Sequence, residues 1–103
     1  MFRTLVESDL FRRQLESFAQ ALANEAVLDE VLDAVAWALS RKPEARPVIQ
    51  GTSALRVIST REYKRAGIII PALKVWYRIL DENSVLLMAI TRQDIEESDE
   101  LDF

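Results

Sequence analysis

The clearest hydrophobic pattern in the chain is a pair of apolar runs, residues 73–80 and 85–92, separated by four turn-forming residues. In the first run Leu73, Val75, Tyr77 and Ile79 alternate with Lys74, Trp76 and Arg78. Side chains alternate across a strand with period two, so one face can pack while the other binds something. The pattern predicts a β-hairpin that carries cations.

Two helical stripes precede this hairpin. Residues 2–6 predict a short strand, and Ser8 or Asp9 can cap the helix that follows. The apolar stripes consist of Phe11, Leu15, Phe18 and Leu22 in the first helix, and of Leu28, Val31, Leu32, Val35 and Leu39 in the second. Asn24 and Glu25 interrupt the pattern, so the two helices form a hairpin that must pack on an apolar partner, the sheet.

The middle of the chain predicts a linker and further strands. Residues 41–47 contain two prolines, residues 50–53 give a second break, and residues 55–59 predict a strand. A charged excursion over 61–67 leads into an extended run at 68–70, after which Pro71 favours an edge, a bulge or a break. The expected fold is α+β, with an N-terminal strand and a two-helix hairpin packed on a twisted, mainly antiparallel sheet in the order β-α-α-β-β-β.

The composition limits the chemistry. With 103 residues, half of them hydrophobic, the chain fits one domain, which we assign to residues 1–92. It has neither cysteine nor histidine, which excludes disulfides, thiolate nucleophiles, the usual neutral-pH base and the commonest metal ligand. Without a phosphate-binding glycine loop or metal-ligand spacing, we predict no metal and no cofactor. No run approaches the roughly 20 apolar residues that span a bilayer, so we expect a cytoplasmic protein without membrane contact.

Charge is strongly segregated along the chain. Residues 1–40 hold three basic and seven acidic residues, residues 41–92 hold ten and four, and residues 93–103 hold none and six. The acidic segment 93–103 is expected to be a flexible tail. It either folds back on the cationic block as a partial inhibitor or serves only as a solvated terminus.

Basic and aromatic residues concentrate in the β half. The cluster comprises Arg56, Lys64, Arg65, Lys74, Arg78 and Arg92, with Trp76 and Tyr77 among them. Cations bind phosphates and aromatic rings stack on unpaired bases, so this composition suits single-stranded nucleic acid or a ribosome surface. The competing interpretation is a solvated sheet face, with Trp37 and Trp76 as packing anchors.

Several segments together resemble the RelE/ParE superfamily of bacterial toxins from type II toxin–antitoxin modules. They are the helix end at 39–43, the strand at 55–57, and the strand pair at 74–78 and 85–92, within a resemblance that covers residues 1 to about 94. The resemblance implies two helices packed on a twisted sheet. One branch of that family cleaves mRNA in the ribosomal A site without a metal, another inhibits DNA gyrase, and an antitoxin protein holds both inactive.

The resemblance also implies site residues. Lys74 stands where the cleaving branch has an arginine on the scissile phosphate, Arg92 matches the basic residue that closes the last strand, and Arg56 matches one of two lysines on an earlier strand. These three are the candidate catalytic residues of a metal-independent endoribonuclease. The second lysine position is Ile58, and the C-terminal tyrosine of that branch has no counterpart in residues 93–103.

The remaining candidates bind the target. Lys64, Arg65, Arg78 and Trp76 are expected to contact RNA or another target, with the ribosome and mRNA as candidate partners beside a cognate antitoxin. An acid–base pair for RNA cleavage is not evident; Glu62, Tyr63 and Lys64 in the segment 61–67 could supply one, although this segment has no matching motif. Three interpretations therefore stay open: an active toxin, a toxin-fold module without nuclease activity or gyrase-type inhibitor, and an unrelated α+β interaction domain.

Overall fold

A four-stranded sheet with two helices on one face forms the body of the protein. The computed structural model describes residues 2–22, 25–52 and 54–92, so the acidic segment 93–103 lies outside the described residues. The elements are β1 (Thr4–Glu7), α1 (Asp9–Leu22), α2 (Glu25–Arg41), a short 3-10 helix (Pro43–Ala45), β2 (Arg56–Ser59), β3 (Tyr63–Arg65), β4 (Ile68–Ile70), β5 (Leu73–Ile79) and β6 (Ser84–Arg92). The predicted α+β fold is confirmed.

The sheet has the strand order β1-β6-β5-β2. Strand β5 pairs antiparallel with both β6 and β2, whereas β1 runs parallel to β6. The predicted hairpin, formed by β5 and β6, therefore supplies the two central strands of the sheet. A parallel neighbour for β6 requires a crossover, and the long connection from β1 to β6, which includes both helices and the strands β2 to β5, supplies it.

The charged excursion after β2 folds differently from expectation. Its residues form β3, which pairs with β4 in a separate two-stranded sheet, so in the described part of the chain five strands rather than three follow the helices. Ala66 and Gly67 both have positive φ in the turn between them. Charge suggested a loop, but Tyr63 lies opposite the fully buried Ile70, and this pairing fixes the hairpin against the core.

The start of α1 completes the hydrogen bonding of β6. Strand β1 ends at Glu7, opposite Leu87, and leaves the rest of that edge of β6 uncovered. The Ser8 hydroxyl donates to the Met88 carbonyl at 2.9 Å, and the Ile90 amide donates to the Gln14 side-chain oxygen at 2.8 Å. Ser8 also accepts from the Phe11 amide at 3.1 Å, as a helix N-cap does, so one residue starts α1 and attaches it to the sheet.

The core lies between the helices and the sheet. It contains Phe11 from α1, Val27, Leu28, Val31, Val35 and Leu39 from α2, and Ile58, Ile70, Leu73, Val75, Tyr77, Val85, Leu87 and Ile90 from the strands. Both predicted helical stripes contribute to it, with Leu15, Phe18 and Leu32 packed at its margin. None of the described helices is long and apolar enough to cross a membrane.

Candidate target-binding face

The face of the sheet that points away from the helices carries three of the predicted site residues. Val75 and Tyr77 of β5 are fully buried in the core, so Lys74, Trp76 and Arg78 belong to the opposite, outer face. Their partners across the sheet are Thr91, Ala89 and Leu86 on β6, with Val57 and Ser59 on β2. We call Lys74, Trp76 and Arg78 the cationic strip.

A bulge in β6 shapes the middle of this strip. Trp76 pairs with Ala89 but Tyr77 pairs with Leu87, so Met88 is an extra residue in β6. The bulge keeps the register of the core on both sides of it. Without it, residues on one side would exchange faces.

Trp76 packs into the outer face rather than projecting from it. Only 4% of the residue is exposed, and its indole nitrogen donates to the Thr91 hydroxyl at 3.3 Å. The Lys74 ammonium lies 5.9 Å from the centre of the indole ring, within cation–π range. In this conformation Trp76 therefore positions Lys74, and the expected packing role fits its burial better than base stacking does.

Two of the three candidate catalytic residues fall on the other face. Arg56 lies opposite Tyr77 and Arg92 lies opposite Leu73, and both partners are core residues. The Arg56 guanidinium donates to the Arg46 carbonyl and so holds the chain that enters β2. Strand alternation thus separates Arg56 and Arg92 from Lys74.

The other two predicted target-binding cations lie on β3. Lys64 is exposed, with its ammonium 3.6 Å from the Glu62 carboxylate. Arg65 forms an ion pair with Glu30 of α2, which also accepts a hydrogen bond from the Tyr63 hydroxyl at 2.8 Å. Glu30 therefore ties the β3–β4 hairpin to α2, and the pair Tyr63 and Arg65 faces the helix rather than the cationic strip.

The groups with shifted pKa values lie away from the strip. The hydrogen bond from Arg65, followed by that from Tyr63, lowers the pKa of Glu30, and the bond to Glu30 raises the pKa of Tyr63. Among the described residues of the outer face, the polar groups beside the two cations are the indole and the hydroxyls of serine and threonine. This set can bind a phosphate, but it holds no carboxylate or tyrosine for proton transfer.

The sequence analysis did not predict a cluster of aromatic residues at the end of α2. Trp37 is 62% exposed and Phe2 is 63% exposed, so the expectation that Trp37 is a packing anchor is wrong. The Arg41 guanidinium lies 4.4 Å from the centre of the Phe2 ring and 4.3 Å from that of Trp37. A signal was present, because Trp37 falls off the apolar stripe of α2 and Arg41 follows it at the i+4 spacing that places both on one helix face.

The chain was compared with known proteins at the level of sequence and of structure. No protein-family model matches it, and a search of curated proteins finds no match. Among solved structures, it is similar to a double arginine-to-alanine mutant of the E. coli toxin RelE in the free state. The TM-score is 0.61 at 17% sequence identity, and the alignment covers 97% of this chain and 93% of that chain.

Such a low identity bears on the fold alone. The match extends over the whole domain, including the N-terminal strand, the helix pair and the central hairpin that the sequence predicted. The chain therefore has a RelE-like fold.

Proposed function

We propose that the protein is a RelE/ParE-like toxin of a type II toxin–antitoxin module, held inactive by a cognate antitoxin. The RelE-like fold over nearly the full chain carries this proposal. The cationic strip supports it, because the half-buried Lys74 and the exposed Arg78 place two positive charges on the outer sheet face, and such charges attract an anionic target. An antitoxin reading frame beside the gene would support it further.

Two modes of toxicity fit this fold. In the first, the protein cleaves ribosome-bound mRNA without a metal, through attack of a 2′-hydroxyl on the adjacent phosphate. That reaction needs a base, an acid, and positive charge on the developing phosphorane. Lys74 and Arg78 supply charge, but Arg56 and Arg92 belong to the helix-facing side and no acid–base pair lies beside the strip in the described part of the chain.

In the second mode, the protein binds its target without cutting RNA, as a gyrase-type inhibitor or a catalytically inactive module. The separation of the candidate catalytic cations onto two faces favours this mode. Binding needs only the charges that share a face, and Lys74 and Arg78 are two such charges on one strand. Target binding through the cationic strip is thus the function that the geometry supports best.

Growth of bacteria during induced expression tests both the toxin assignment and the mode. The strains express the intact chain, the strip variant Lys74→Ala with Arg78→Ala, the opposite-face variant Arg56→Ala with Arg92→Ala, and Arg13→Ala as an exposed-cation control on α1. Arrest by the intact chain and the control, relieved in the strip variant alone and without cuts in ribosome-bound mRNA, is the expected result. Each lost charged hydrogen bond weakens binding on the order of tenfold or more.

Other outcomes change the conclusion. Relief by both double variants, together with cuts in ribosome-bound mRNA, would establish the nuclease mode. Normal growth with the intact chain at confirmed soluble expression would overturn the toxin assignment.

A further inference from the structure

The end of α2 carries an arrangement that the cationic strip does not use. The guanidinium carbon of Arg41 lies over the rings of both Phe2 and Trp37, 4.4 Å and 4.3 Å from their centres. Phe2 and Trp37 are each more than three-fifths exposed. We call these three residues the aromatic clamp.

The clamp is held in place by the N-terminal segment. The Arg3 amide donates to the Ser40 carbonyl at 2.8 Å, which lays the chain before β1 along the last turn of α2. The Arg3 guanidinium also bonds Glu44 and the Glu82 carbonyl. These contacts, made by the residue next to Phe2 and received in part by the residue next to Arg41, hold the N-terminal segment against the end of α2, so the clamp exists before any partner arrives.

Contact with the two rings does not use the hydrogen-bond donors of Arg41. The cation–π attraction acts through the positive charge, whereas the five N–H donors lie in the plane of the guanidinium. Within residues 2–22, 25–52 and 54–92, neither Arg41 nor its neighbour Lys42 forms an ion pair. A planar fork of donors held rigid by two rings matches a carboxylate, which accepts two parallel hydrogen bonds.

The surroundings distinguish a protein partner from RNA. Asp33 lies one turn before Trp37 on α2, and the loop with Asp81 and Glu82 lies next to the N-terminal segment through Arg3. A chain of phosphates that reached the clamp would be repelled by these acidic groups. A single carboxylate between apolar side chains would instead pair with Arg41 and cover both rings, and exposed tryptophan and arginine are the residue types that dominate protein interfaces.

We infer that the aromatic clamp is a docking site for another protein, and that it binds a segment presenting an aspartate or glutamate flanked by apolar residues. The carboxylate pairs with the edge of the Arg41 guanidinium, and the apolar neighbours cover Phe2 and Trp37. This site is separate from the cationic strip, and the inference does not depend on the protein being a toxin.

Selection of a random 12-residue peptide library displayed on phage against the intact protein tests this inference, with counter-selection against Arg41→Gln. The expected peptides share an acidic residue between apolar ones. Arg41→Gln and Trp37→Ala should each weaken a synthesised peptide on the order of tenfold or more, as loss of charged hydrogen bonds or of a buried aromatic contact does. Arg13→Gln is the matched control and should leave the affinity unchanged.

Two further measurements make the result decisive. Replacing the peptide's acid by its amide should weaken binding as much as Arg41→Gln does, and circular dichroism of each variant checks that the fold is kept. Failure to obtain a peptide that survives counter-selection would overturn the inference, and so would peptides without an acid. Displacement of the peptide by oligouridylate, with direct binding of that RNA lost in Arg41→Gln, would assign the clamp to nucleic acid instead.

Discussion

Tyr77 joins the centre of the sheet to the segment that follows α2, and removing its hydroxyl should measure that connection. The residue is fully buried on β5, and its hydroxyl donates to the carbonyl of Pro43 at 2.6 Å. Tyr77→Phe keeps the ring and opens no cavity, so the change isolates the hydrogen bond. Pro43 is itself buried, and loss of a partner by a buried acceptor costs about 1–3 kcal/mol.

The same substitution should change the dependence of stability on pH. Burial raises the pKa of Tyr77 in the folded protein. As the pH rises past the ordinary tyrosine pKa of about 10, the unfolded chain loses this proton while the folded chain keeps it. The unfolded state then binds fewer protons, so the contribution is fully present below that pH and is lost as the pH rises through the folded pKa. Phenylalanine at position 77 removes this alkaline loss.

Urea unfolding followed by circular dichroism near neutral pH and at alkaline pH provides the assay. At typical urea sensitivities for a small domain, the loss near neutrality corresponds to a midpoint lower by about 1 M. Tyr63→Phe is the matched control for the loss near neutral pH, because its hydroxyl bonds the part-exposed Glu30 and should matter less. A Tyr77→Phe variant within about 0.5 kcal/mol of the parent, with an unchanged alkaline slope, would refute the reasoning.

Three smaller predictions concern other contacts. Ser8→Ala should lower the free energy of unfolding by about 0.5–2 kcal/mol, because it removes a helix cap and the bond to the Met88 carbonyl; Ser8→Thr is the control in a urea titration. Since the Arg65 hydrogen bond lowers the pKa of Glu30, its stabilising effect should be present above the ordinary glutamate pKa and fade as the pH falls through the lowered value. Glu30→Gln should abolish that acid dependence in unfolding curves. Truncation after Arg92 should raise toxicity or RNA binding and make both more salt-sensitive, and an unchanged phenotype would exclude an inhibitory tail.

The sequence predicted both helices, the four strands of the main sheet and most of the core, although not the strand β3. Period-two alternation in β5 and the stripe of α2 are local properties, and each places its apolar residues on one side whatever surrounds the element. Val75, Tyr77, Val35 and Leu39 are buried as this pattern predicts. The α+β fold class follows, since two amphipathic helices and a hairpin have few ways to bury these faces together.

The alternation of side chains along β5 also predicted which residues form the cationic strip. Lys74 and Arg78 share a face because they are four residues apart on one strand, and this needs no tertiary information. The resemblance to a toxin family added Arg56 and Arg92 to the same site. Their faces depend on how β2 and β6 pair with β5, which a single strand's pattern does not contain.

Strand pairing and the exposure of the aromatic residues depend on long-range contacts. Arg56 and Arg92 lie opposite the core residues Tyr77 and Leu73, because register is fixed between strands rather than within one. Trp76 is buried and Trp37 is exposed, although both are tryptophans with basic neighbours. Burial depends on which surfaces meet when the chain folds. The local pattern therefore predicts the helices and the positions of the basic residues along each strand. Long-range contacts determine which of these basic residues share a site.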